Sequence, residues 1–94
     1  IVISIPDWGV TPYAQERRTL TSQISTEIDN FNEVNREQAE KAGVQYVNIT
    51  PISREAEADR TLLAVDGLHP SGRMYSEWME LILPSARLAL GLEK

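Results

Sequence analysis

A chain of 94 residues with no cysteine is one domain or part of one, in which folding buries roughly 60–70% of the unfolded surface. The absence of cysteine excludes a disulfide framework and any thiolate metal centre, and is neutral as to compartment. A net charge of −5, with 9 dispersed basic residues against 14 acidic ones, argues against a nucleic-acid surface, and no apolar run approaches the roughly 20 residues that cross a bilayer.

Ile1-Val2-Ile3-Ser4-Ile5 reads as a strand whose β-branched composition suits burial on both faces of a parallel sheet. It is entered without an initiating Met, a basic leader or a cleavage pattern, so the chain is expected to be the C-terminal portion of a larger α/β protein. Pro6-Asp7-Trp8-Gly9-Val10-Thr11-Pro12 follows as a loop. Open α/β sheets place ligand sites where the chain leaves the carboxyl end of a strand, which makes Asp7 and Trp8 candidates for lining one. The competing reading has Trp8 covering the sheet edge and Asp7 capping a turn.

A long helix is predicted from about Thr21 or Ser25 to Ala42, with Ile24, Ile28, Phe31, Val34 or Asn35, Ala39 and Ala42 as its buried stripe and Gly43 as its stop. Val44-Gln45-Tyr46-Val47-Asn48-Ile49 is the second strand. Strand–helix–strand at this length implies a right-handed crossover and parallel strands. Thr50-Pro51 ends it, Ile52 to Asp59 is expected to hold a short helix starting near Ser53, and Thr61 to Val65 is an apolar run leading into an Asp-Gly turn. Ser71 is placed as the N-cap of a last helix that buries Met74, Trp78, Leu81 and Ile82, flanked by Tyr75 and Leu88. Pro84 is expected to kink it or to start a new helix at Ser85, and Gly91 to stop it. No repeat, low-complexity tract or linker divides residues 1–94.

The chemistry concentrates in Asp66-Gly67-Leu68-His69-Pro70-Ser71-Gly72, which holds the sole histidine. An Asp three residues before a His, in a tight turn, suits a carboxylate that accepts the imidazole Nδ1–H and leaves Nε2 as a base. A surface His after a structural Asp-Gly turn is the plain alternative. One His without a second His or a Cys falls short of a zinc ligand set, no EF-hand spacing appears, and neither phosphate-binding glycine run is present. Of the seven serines none lies in a Gly-x-Ser-x-Gly elbow. Two members of a nucleophilic triad are visible, and the third is expected from a missing N-terminal portion.

The Asp66–Gly72 block, followed by Tyr75 and Trp78, resembles the last conserved block of the SGNH/GDSL hydrolases, in which an Asp-x-x-His segment supplies two triad members. Ser4-Ile5-Pro6-Asp7-Trp8-Gly9-Val10-Thr11-Pro12 and Ile49-Thr50-Pro51-Ile52-Ser53-Arg54 are similar to a bacterial subgroup of that family. The resemblance covers nearly the whole chain, as the C-terminal half of one such domain. It implies a flavodoxin-like three-layer α/β/α fold with a parallel sheet, and hydrolysis of a small-molecule carboxylic ester without a cofactor. His69 would be the general base and then the general acid, oriented by Asp66; Trp8, Asp7 and Leu68 would line the substrate pocket. The family's Gly-Asp-Ser nucleophile and its oxyanion Gly and Asn have no counterpart here, so the fragment alone should be inactive. Its partner would be the N-terminal half of the same domain, and in isolation its sheet edge should favour self-association. A reading from another class makes the chain a non-catalytic α/β module that binds a ligand or partner through the same edge.

Overall fold

The computed structural model describes residues 1–17 and 20–92. Strand β1 (Val2–Ile3) pairs in parallel with β2 (Tyr46–Val47), Val2 opposite Tyr46 and Ile3 opposite Val47. Helix α1 (Pro12–Glu16) and the 22-residue α2 (Thr21–Ala42) lie between them; α3 (Thr50–Arg54) and α4 (Gly72–Ala89) follow. The class is α/β, as the alternation of patterns required. None of these helices, among the described residues, is long and apolar enough to cross a membrane.

Both strands are shorter than their apolar runs, for a visible reason. Ser4 N–H still reaches Val47 O at 2.9 Å, but beyond it side chains take over the backbone groups that a ladder would have used. Ile5 N–H donates to Asn32 Oδ1 at 2.8 Å, and Thr50 Oγ1 donates to Ile5 O at 2.7 Å. Ser4 Oγ accepts from Ile49 N and Thr50 N at 2.7 and 3.1 Å. Burial of β1 on both faces is not realised: Val2 is half-buried and Ile3 is 42% exposed, so neither face of the strand is closed among the described residues. Successive strand residues point to opposite faces. Accordingly Tyr46 directs its hydroxyl to Asn32 O on α2, whereas Val47 joins Ile49, Leu62, Met74 and Trp78 in the core under α4.

In α2 the buried line runs Ile24, Ile28, Asn32, Ala39: the expected Ile24, Ile28 and Ala39 are kept, Asn32 takes the place of Phe31, and Asn35 and Ala42 are exposed. Phe31 and Val34 are exposed, because Asn32 is the residue whose amide bridges Ile5, just past β1, and Thr50 of α3. Helix α1 was not anticipated from the loop-like composition, although Thr11 caps it through Ala14 N and Pro12 suits a first helical turn. For the same reason Pro51 opens α3 rather than delaying it to Ser53, and the segment continues as single 3₁₀ turns at Glu55–Glu57 and Arg60–Leu62. Ser71 caps α4 as expected, Pro84 lies inside the helix with no new helix starting at Ser85, and Leu81 remains exposed.

Asn32→Ala should strand the Ile5 N–H and lower the unfolding free energy by about 1–3 kcal/mol. Asn35→Ala on the exposed face should stay within about 0.5 kcal/mol. Urea denaturation of both variants beside the parent checks the pair.

Candidate active site

Residues Leu62–Ser71 form a small closed loop. Ser71 N–H donates to Leu62 O at 2.9 Å, Ala64 N–H to His69 O at 2.8 Å, and Leu63 and Pro70 form an antiparallel bridge. At the tip Gly67 adopts φ +70°, a left-handed conformation that side-chain-bearing residues rarely take, and its N–H returns to Ala64 O. That turn lets one carboxylate serve the whole segment. Asp66 Oδ1 accepts from the backbone N–H of both Leu68 and His69 at 2.9 Å, while Oδ2 lies 2.5 Å from His69 Nδ1. With Nδ1–H donating to Asp66, the Nε2 lone pair is the free basic atom. The His69 hydrogen bond, followed by the two backbone donors, brings the Asp66 carboxyl down to about 2.

His69 borders a cleft of about 470 Å³ walled by Trp8, Leu63, Leu68, Met74 and Trp78. The structure therefore brings four expected site residues (Asp66, His69, Trp8 and Leu68) into one region. Asp7 sits in the same wall but differs in kind: its side chain is wholly buried, with Oδ1 accepting from Gly9 N–H and Oδ2 from Arg54 Nε, each at 2.9 Å. A carboxylate taken out of water needs such partners, and both of its oxygens are engaged by them. Its observed part is to cap the 3₁₀ turn Trp8–Val10 and hold Arg54.

The Ile49–Arg54 segment carries a residue to which the sequence assigns no role, Arg54. From α3 it reaches Asp7, Asp29 Oδ1 at 2.8 Å and Ser25 O at 3.4 Å, tying the Trp8 loop to α2. Met74 and Trp78 were expected only in the core, yet they also line the cleft. Their signal was available: the first buried turns of a helix capped at Ser71 must lie beneath the His69 loop. The two walls meet where Tyr13 N–H donates to Gly67 O at 3.3 Å. Among the described residues no group of three His, Cys, Asp or Glu side chains converges to hold a metal.

A family model described as GDSL-like Lipase/Acylhydrolase matches residues 1–82, a span that runs from β1 into α4 and contains the Asp66–His69 loop. Neither a curated protein nor a solved structure matches the chain.

Arg54→Ala leaves the Asp7 carboxylate buried without its cation. Breaking a buried pair costs about 3–5 kcal/mol, and the partial exposure of Arg54 places the expected loss nearer about 2–3 kcal/mol. Adding Asp7→Asn should recover part of it in a double-mutant cycle followed by urea denaturation. The Asp66 carboxyl is depressed in the folded chain, so its contacts persist as pH falls through the ordinary 3.8 and are lost as pH falls through about 2. A carboxyl ¹³C titration should show that low midpoint, moving up in His69→Ala.

Proposed function

The chain belongs to the GDSL-like lipase/acylhydrolase family, and from that premise we propose that it supplies the histidine and aspartate of a Ser–His–Asp ester hydrolase. The observation that carries the reading is the contact of His69 Nδ1 with Asp66 Oδ2 at 2.5 Å, with the imidazole at the rim of an apolar cleft. Serine Oγ bonds to the ester carbonyl carbon as its proton passes to His69 Nε2. Collapse of the tetrahedral adduct breaks the bond to the alcohol oxygen, which takes that proton. Water repeats the sequence on the acyl-enzyme and releases the acid.

The nucleophile is proposed to lie in an N-terminal portion of the same domain, with this chain as the C-terminal half. The state of the serines supports this. Ser53 borders the cleft, but its hydroxyl donates to Thr50 O at 2.6 Å and accepts Asp7 N–H at 2.9 Å. Ser4 is buried among Asn48, Ile49 and Thr50, and Ser71 caps α4. Ser22, Ser25, Ser76 and Ser85 sit within helices α2 and α4. The unpaired edge of β1 gives a further parallel strand a place to add, and the division of Tyr46 and Val47 between α2 and α4 fits a three-layer flavodoxin-like domain. Alone, the 94 residues should then be inactive and self-associate through that edge.

Hydrolysis of p-nitrophenyl butyrate by the full-length polypeptide is the test. His69→Ala should lower kcat by on the order of 10⁴-fold or more, and Asp66→Asn by less. Equal rates for the parent and His69→Ala would defeat the assignment and favour a ligand-binding module.

A further inference from the structure

The cleft beside His69 has a floor of its own. Met74 and Trp78, one turn apart on α4, are 1% and 8% exposed, the most buried apolar side chains that line it. Trp78 Nε1 is closed to solvent and meets no acceptor among the described residues, so the indole offers the cleft only carbon surface. Tyr75 meets the indole edge-on at 5.2 Å and 83° and braces its plane.

Apart from the Tyr13 hydroxyl and His69 Nε2, the polar side chains along the wall are already engaged. Asp7 faces Gly9 and Arg54, Ser53 binds Thr50 O and Asp7 N–H, and Thr11 Oγ1 donates to Trp8 O at 2.6 Å while accepting from Ala14 N. A polyol such as an acetylated sugar would lose its water there and find few partners in return. An alkyl chain loses nothing by entering. Depth then limits it: the cleft is finite, about 470 Å³, and Met74 and Trp78 close its buried end, so a chain that outgrows it meets those two side chains.

We propose that Met74 and Trp78 form the length gauge of an acyl site: the cleft takes the apolar acyl group of a medium-length ester, and these two side chains stop longer ones. The inference rests on the hydrolase reading and names the acyl half of its substrate.

The test has two arms on the full-length protein. Trp8 and Trp78 both line the cleft, so the share of quenching by a contact quencher on an acyl chain that is lost in Trp8→Phe and Trp78→Phe reports occupancy without turnover. Titration with 8-bromooctanoate should quench tryptophan emission saturably, most of that quenching should vanish in Trp78→Phe, and 3-bromopropionate should give none that saturates. In the second arm, kcat/KM is measured on p-nitrophenyl acetate, octanoate, dodecanoate and hexadecanoate. Octanoate should lead, Met74→Ala should raise the dodecanoate-to-octanoate ratio about tenfold, and Leu68→Trp should lower octanoate relative to acetate. Absence of saturable quenching by 8-bromooctanoate overturns the acyl site, even where butyrate is hydrolysed. Quenching with an unmoved ratio in a folded Met74→Ala protein overturns the gauge. Saturable quenching in a protein that hydrolyses no ester upholds the acyl site and removes the hydrolase reading instead.

Discussion

One carboxylate holds the functional loop together. Asp66 accepts two backbone N–H groups on one oxygen and meets the imidazole on the other, within four residues of chain. A carboxylate is suited to this because each oxygen accepts and neither donates. An amide in its place would keep one acceptor but present an N–H to Nδ1, favouring the tautomer with the wrong nitrogen free. The arrangement also requires Gly67 at φ +70° and the Leu63–Pro70 bridge, which together close the loop tightly enough for residue 66 to reach residue 69. Depression of the Asp66 carboxyl to about 2 follows from these donors, and it keeps the anion in place wherever the imidazole could act as a base.

The opposite wall depends on polar groups buried where β1 ends. Ser4, Asn32 and Thr50 satisfy the backbone of Ile5, Ile49 and Thr50, and Asp7 with Arg54 fixes the turn that carries Trp8. Such a network defines one arrangement while every member is paired and becomes costly when one is lost. Its effect is positional. Trp8 is held on one side of the cleft and the His69 loop on the other, with Tyr13 N–H to Gly67 O joining them.

Patterns that repeat along the chain were legible, and features that depend on a partner distant in sequence were not. The α/β class, the parallel pairing, the span of α2 with Gly43 at φ +69°, and the Ser71 cap all follow from periodicity and local chemistry. The Asp66–His69 contact was legible because three residues of chain hold its two halves. The cap that Asp7 makes was one of the two readings of its loop, but its pairing with Arg54 was not legible, since Arg54 lies 47 residues away and nothing local marks it as a partner. Asn32 misled for a related reason: a polar residue scores as exposed, although a buried amide bridging two elements is stable once its bonds are made. Pro12 and Pro51 were read as breakers, yet proline at a first turn forgoes an N–H that has no helical partner anyway.

Exposure of the imidazole links the two halves of the site. The His69 side chain is 70% exposed, and water above it weakens every charge interaction the ring makes. Between the dielectric of bulk water and an effective value near 20, the attraction between an imidazolium and a carboxylate at fixed distance rises about fourfold. On the hydrolase reading that attraction develops as Nε2 takes its proton. A group that displaces water from the ring would therefore favour proton transfer as well as binding. The cleft beside His69 is lined with carbon surface from Trp8, Leu68, Met74 and Trp78, so an acyl chain lying in it would be such a cover.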